Sequence, residues 1–166
     1  MGYIAGALAA FLISLLAALG RNILLVNFDL EMILGSFVTN TIGEGTWVLG
    51  FSVSLMAGSF CGLFYALGFK TLRKSGTKAG LAFGLVHWTL TGLIFGILSA
   101  HHPLSKAQPH LMPGFFGLDY GFGLAGFLLF SHLFFGALVG KMQTLRSRRL
   151  RTRRPPRLDS SEQKVA

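Results

Sequence analysis

With one cysteine in 166 residues, Cys61, the chain can form no intrachain disulfide, no paired-cysteine metal site and no thioredoxin-like dithiol, and Cys61 is expected simply to pack. Acidic residues are almost as scarce, six in all, and none lies inside the long apolar runs. Ser14, Ser54 and Ser131 stand in those runs with no carboxylate to complete a hydrolytic triad. No nucleophile elbow, phosphate loop, zinc-hydrolase helix or dinucleotide fingerprint occurs, so the expectation is a protein that is not an enzyme and needs no cofactor. Charged residues make up 13% of the chain against 52% hydrophobic, a balance too apolar for an ordinary soluble domain.

The apolar residues come in blocks, with the charges gathered between them, which makes the bilayer the expected solvent. Residues 3–20, 47–69, 79–100 and 121–140 are each about long enough to cross roughly 30 Å of hydrocarbon at about 1.5 Å per residue. The expected fold is therefore an all-α membrane bundle of four spans over residues 1–142, followed by a basic disordered tail over 143–166. The first run also has the small residues of a signal-peptide cleavage site at Ala18-Leu19-Gly20, but no Lys or Arg precedes it. Between the first two spans, residues 21–46 are too polar to cross. Ile33, Leu34, Phe37 and Val38 recur there at helical spacing, which fits a short external helix, lying at the interface or folded partway back into the bundle, or else a structured loop.

Orientation follows from the basic residues. The loop after the second span carries Lys70, Arg73, Lys74 and Lys78, and nine more Lys or Arg lie from Lys141 onward, against Arg21 and Lys106 on the other side. Positive residues stay in the cytoplasm, so both termini are expected there. The segment Arg146 to Arg157 is expected to meet anionic lipid, each charge contributing about 1 kcal/mol near the surface. Nucleic acid is a minor alternative for it, because the tail has no interleaved aromatics for base stacking.

Small residues fall four apart in every span. The first has Gly6, Ala10, Ser14 and Ala18, and the second Ser54, Gly58, Gly62 and Ala66. The third has Gly76, Gly80 and Gly84, then Gly92 and Gly96, and the fourth His132, Gly136 and Gly140. Such stripes let helix backbones approach closely and should face one another, within the chain or in a homo-oligomer. The second and fourth spans also match, Ser54-Leu55-x-x-Gly58-x-x-x-Gly62 against His132-Leu133-x-x-Gly136-x-x-x-Gly140. Upstream, Met32 to Phe37 answers Met112 to Phe116 at an offset near eighty residues. Two tandem helical hairpins are expected from this repeat.

On these residues the chain resembles the small four-helix bacterial inner-membrane proteins classed as a domain of unknown function. The likeness rests on the fourth-span pattern, on Met112-Pro113-Gly114-Phe115-Phe116-Gly117 and on Gly62-Leu-Phe-Tyr65, and it covers roughly residues 1–142. It implies a fold and an inner-membrane location and brings no activity. Similar proteins often carry a histidine where this chain has Ser54, so two equivalent sites are not expected here.

His87 and His132 are the most informative pair, because ionisable groups within a membrane are costly and face the bundle interior. Each lies about nine residues, roughly 14 Å, from the basic end of its span, so the two can meet. They could share a proton, hold a transition metal or ligate a haem; the plainer reading is that they hydrogen-bond to Thr91, to Ser131 or to a backbone carbonyl and join helices. In the loop of residues 101–120, His101, His102, His110, Met112 and Asp119 offer weaker metal candidates. The leading expectation is a structural or accessory helix-packing, oligomerising protein. The alternatives are a small transporter or channel for protons, metal ions or another small solute, and a haem-binding redox subunit.

Overall fold

A computed structural model describes residues 2–23 and 28–152. Five helices follow in order: α1 (Gly2–Ile23), α2 (Leu30–Thr39), α3 (Glu44–Thr71), α4 (Thr77–His101) and α5 (Phe122–Thr152). Two 3-10 segments, Pro109–Leu111 and Phe115–Tyr120, link α4 to α5, and there is no strand among the described residues. Four of the helices, all but α2, are long and apolar enough to cross a membrane.

These helices are packed inside out relative to a soluble bundle. Large apolar side chains such as Val86, Leu90 and Ile97 are more than half exposed, whereas Gly80, Gly84, Gly92 and Gly96 of the same helix are buried. Exposed leucines cost nothing in hydrocarbon. What binds the helices is the closeness of approach that glycine permits, and with it dispersion between backbones.

The glycine stripes do face one another, and they do so within the chain. A Cβ added at Gly6 would collide with the carbonyl of Gly58, and one at Gly62 with the carbonyl of Gly2 and the Cα of Gly6. The second pair of spans repeats this arrangement: Gly80 lies on the carbonyl of Gly136, and Gly140 on the carbonyl of Gly76 and the Cα of Gly80. Thus α1 with α3, and α4 with α5, form two interlocked hairpins. Gly2 and Gly6 correspond to Gly76 and Gly80, 74 positions on, and Gly58 and Gly62 to Gly136 and Gly140, 78 positions on. The uniform offset near eighty therefore holds only approximately. Its supposed partner segments differ in kind, since Met32 to Phe37 is α-helical while Met112 to Phe116 is extended and then kinked.

The short helix α2 runs back along the first turns of α3. Asp29 caps it by accepting from the Met32 N–H at 3.0 Å, and Glu31 in its first turn complements the helix dipole. It stops at Asn40, whose left-handed φ of 56° lets its N–H reach the Ser36 carbonyl at 2.9 Å. Backbone meets backbone at Gly35 against Thr46 and at Gly50 against Glu31. The hydroxyls of Thr39 and Thr41 close the turn on Thr46 Oγ1 at 3.1 and 3.2 Å. α2 thus lies partway inside the bundle, one of the two sites its sequence allowed.

The corresponding place in the second hairpin is filled by side chains. The rings of Phe116 and Phe115 sit where Cβ atoms of Gly92 and Gly96 would be, and Phe116 holds a left-handed φ of 56° with its ring 4.9 Å from that of Trp88. A bulky residue in that region is strained, so the glycine seat must hold it there.

The fourth long helix runs further than hydropathy marks. Its helix continues to Thr152, well past residue 140 and into the stretch expected to be a disordered tail. Hydropathy reports where hydrocarbon ends, not where a helix must. Between Lys141 and Thr152 there is no helix breaker, and basic residues suit a helix C-terminus. Pro155-Pro156 and the rest of residues 153–166, with the side chains of 147–152, lie outside the described residues, and so does most of the lipid-binding expectation for the tail.

Candidate functional site

The two hairpins meet through large side chains. Tyr65 and Phe69 of α3 pack with Phe83 of α4 and Phe135 of α5, over a floor of Ala5, Ala9 and Val139. Into this aromatic layer project His87 of α4 and His132 of α5. The rings of His87 and His132 lie edge to face with centroids 4.7 Å apart and planes at 83°. Matching depth on antiparallel helices, expected from residue counting, is realised because Gly84 lies directly on the His132 backbone.

Each ring is held by its own partner. His132 Nδ1 is 2.7 Å from the Leu128 carbonyl, an acceptor only, so Nδ1 carries the proton and donates. In a neutral ring Nε2 is then the basic nitrogen. His87 Nδ1 is 3.2 Å from the Tyr65 hydroxyl, and its Nε2 is 3.6 Å from Cys61 Sγ. Neither Thr91 nor Ser131 is the partner. The sequence alone does not single out Tyr65 and Cys61: Tyr65 reads as the aromatic end of a span and Cys61 as packing. Four residues apart on α3, they form one face toward α4, and that spacing is the available signal.

A second polar group lies at the α2 end of the bundle. Arg21 Nη1 is 3.5 Å from Asp29 Oδ1, 3.7 Å from Glu31 Oε2 and 3.4 Å from the Phe28 carbonyl, to which it donates. Glu31 is only 1% exposed and makes no hydrogen bond through Oε2, so the ion pair with Arg21 is what compensates its burial. Nearby, the Tyr120 hydroxyl donates to the His110 carbonyl at 2.7 Å; burial, and then the Asp29 carboxylate, hold its pKa above the ordinary phenol value. In the sequence these charges read as loop polarity. An acidic residue inside the apolar helix Leu30–Thr39 is the hint that it must be paired.

The loop histidines do not converge. His101 is exposed and its Nδ1 is 2.8 Å from the Ile97 carbonyl, to which it donates. His102 is buried, and both its nitrogens are used: Nδ1 accepts the Leu104 N–H at 3.1 Å, while Nε2 donates to the Ile33 carbonyl at 3.2 Å beside Ser36 Oγ. It joins the end of α4 to α2. His110 is exposed, and Met112 is buried in an apolar wall. Among the described residues no three His, Cys, Asp or Glu side chains gather as metal ligands would. Nor does a haem fit as a bis-histidine complex between His87 and His132. Such a complex places the two imidazoles on opposite faces of a macrocycle, whereas these rings touch and their helices are interlocked at Gly84.

No protein-family model, no curated protein and no solved structure matches the chain. The fold and this site therefore define the protein only as a helical membrane protein with four candidate spans.

Proposed function

We propose that the chain is a small carrier of the bacterial inner membrane, with both termini in the cytoplasm, that moves a small solute or protons using His87 and His132 as a proton-binding station. The observation that carries this reading is the contact of the two rings at 4.7 Å, with Tyr65 on one and a basic Nε2 left on the other. Ionisable groups are kept inside membranes at a cost and mark pathways for protons or solutes, and this pair, on two helices of the second hairpin, is faced by Tyr65 of the first. One added proton can sit on His132 Nε2 while Nδ1 keeps its bond to Leu128, and a second on the adjoining ring would be opposed by the first. Each hairpin is rigid through its own glycines, so the two are suited to move against each other as bodies around this station.

The test is proton entry into vesicles holding the purified chain and a trapped pH dye, with a potassium gradient and valinomycin as driving force. Wild-type protein should acidify the lumen faster than protein-free vesicles, His132→Ala and His87→Ala should lose most of that rate, and the lipid-facing Thr89→Ala should keep it. Equal rates for all variants would remove the histidine mechanism.

Association into an assembly is the second reading, and one observation favours it. A Cβ added at Gly123 or Gly126 of α5 would meet nothing within 4 Å, and Phe122 beside them is 88% exposed. Most of the other glycines in the long helices lie against a neighbour inside the chain, so this end of α5 is a place for a second copy to sit. Monodisperse monomer in mild detergent and in bilayer nanodiscs would exclude it.

A further inference from the structure

Between α2 and α4, at the end of the bundle where α2 lies, is a cavity of about 200 Å³. Leu34 and Phe37 of α2, Val53 of α3, Leu98 of α4 and Met112 of the following loop are among the residues of its wall. The wall has two polar residues, and both are already satisfied. Ser99 Oγ donates to the Phe95 carbonyl at 2.7 Å and accepts the Gly114 N–H at 3.0 Å. His102 has both nitrogens engaged, as described above. Water or a polar ligand would therefore find nothing to bond to, and an apolar void of this size stays dry or takes a hydrocarbon; one of about 150 Å³ is known to admit benzene.

The surroundings identify the occupant. The cavity is walled by α3 and α4, both of spanning length, at residues lying roughly 5 to 14 Å inside their ends at about 1.5 Å per residue. At its edge Phe37 and Val38 are 41% and 62% exposed, on the surface the helices turn toward the bilayer. In a bilayer crossed by α3 and α4, this opening would face the hydrocarbon of the leaflet on the α2 side. We infer that the cavity is a binding site for one acyl chain of a phospholipid in that leaflet, inserted between α2 and α4 against Met112.

The site is separate from the histidine pair and independent of any transport activity. It is tested with the full chain in vesicles of phosphatidylethanolamine and phosphatidylglycerol, a fraction of the phosphatidylethanolamine carrying a diazirine midway along one acyl chain. After irradiation, labelled residues are mapped by mass spectrometry. Met112 is only 6% exposed, so a chain that merely coats the surface cannot reach it, whereas Leu90, 55% exposed, is reached by any lipid. The expected result is label at both. Two cavity-filling substitutions, Val53→Phe and Leu98→Phe, each checked for retained helix content, should abolish label at Met112 and leave Leu90 unchanged. Label at Leu90 without label at Met112 in the wild type overturns the proposal, whether or not either variant folds. Unchanged Met112 label in a folded filled variant also overturns it.

Discussion

The two hairpins share a scaffold and differ in what they carry. Both close on the same backbone interlock, Gly6 on Gly58 and Gly80 on Gly136. Where the second carries His132, however, the first has Ser54, and the position of His87 corresponds to Ile13. The first hairpin instead keeps one buried carboxylate, Glu31, on a helix that the second lacks, paired with the partly exposed Arg21 beside Asp29. Repetition here supplies rigidity, and departure from the repeat supplies the chemistry. A titratable pair arises not at two equivalent positions but from two helices of one hairpin, with Tyr65 of the other as its hydrogen-bond partner.

The largest expected effect tests whether the interlocks are equivalent. Gly136→Ile and Gly58→Ile each force a side chain into a facing helix; the first meets the Gly80 carbonyl and the Gly84 nitrogen, the second the Ala10 methyl and the Gly6 carbonyl. Backbone cannot turn aside, so each should cost about 3 kcal/mol or more and prevent isolation of folded protein. If size-exclusion profiles and thermal unfolding in detergent showed one of the two to be harmless, the hairpins would not share a scaffold.

Next comes the charge cluster unique to the first hairpin. Arg21→Ala leaves the Glu31 carboxylate buried without its cation and should cost on the order of 3 kcal/mol. The double variant Arg21→Met with Glu31→Gln should recover much of that loss. A single variant as stable as wild type would show that the Arg21 to Glu31 pair contributes nothing to the fold.

The tie between the hairpins at the α2 end gives a smaller effect. His102→Ala strands the Leu104 N–H and the Ile33 carbonyl and should lower stability by about 1–3 kcal/mol. His101→Ala, on an exposed ring, should change thermal unfolding little by comparison. The smallest effect has the opposite sign: Gly126→Ala, with open space around it, should stabilise α5 by roughly 0.5–1 kcal/mol through backbone entropy alone. Destabilisation there would mean that a partner covers this face.

The spans were legible because hydrophobic length is a one-dimensional property, and the four long helices contain the runs found by hydropathy but for Gly121, which precedes α5. That His87 and His132 could meet followed from their matching depth; that they do depends on the packing of Gly84 against the His132 backbone. Their partners were not, because Tyr65 and Cys61 lie on a helix of the other hairpin, and which face that helix turns depends on packing between hairpins. The repeat was legible in the returning spans, but the outgoing ones hide it. Gly2-x-x-Ala5-Gly6 recurs as Gly76-x-x-Ala79-Gly80, yet Thr77 and Lys78 make the second copy look like loop. The pairing of Glu31 escaped because counting charges says on which side of the membrane they lie, not which of them must be compensated.

The backbone interlocks join helices that are neighbours in the order of synthesis, α1 with α3 and then α4 with α5. A chain emerging from the ribosome can therefore zip its first hairpin before residue 77 has been made, since every glycine that hairpin needs is already present. Assembly then reduces to docking two finished pieces, with the Tyr65 to His87 bond and the His102 tie to α2 made only at the end. The proposed proton-binding station would be among the last parts of the protein to form, so on that proposal an incompletely inserted chain would not yet have a route through which to leak.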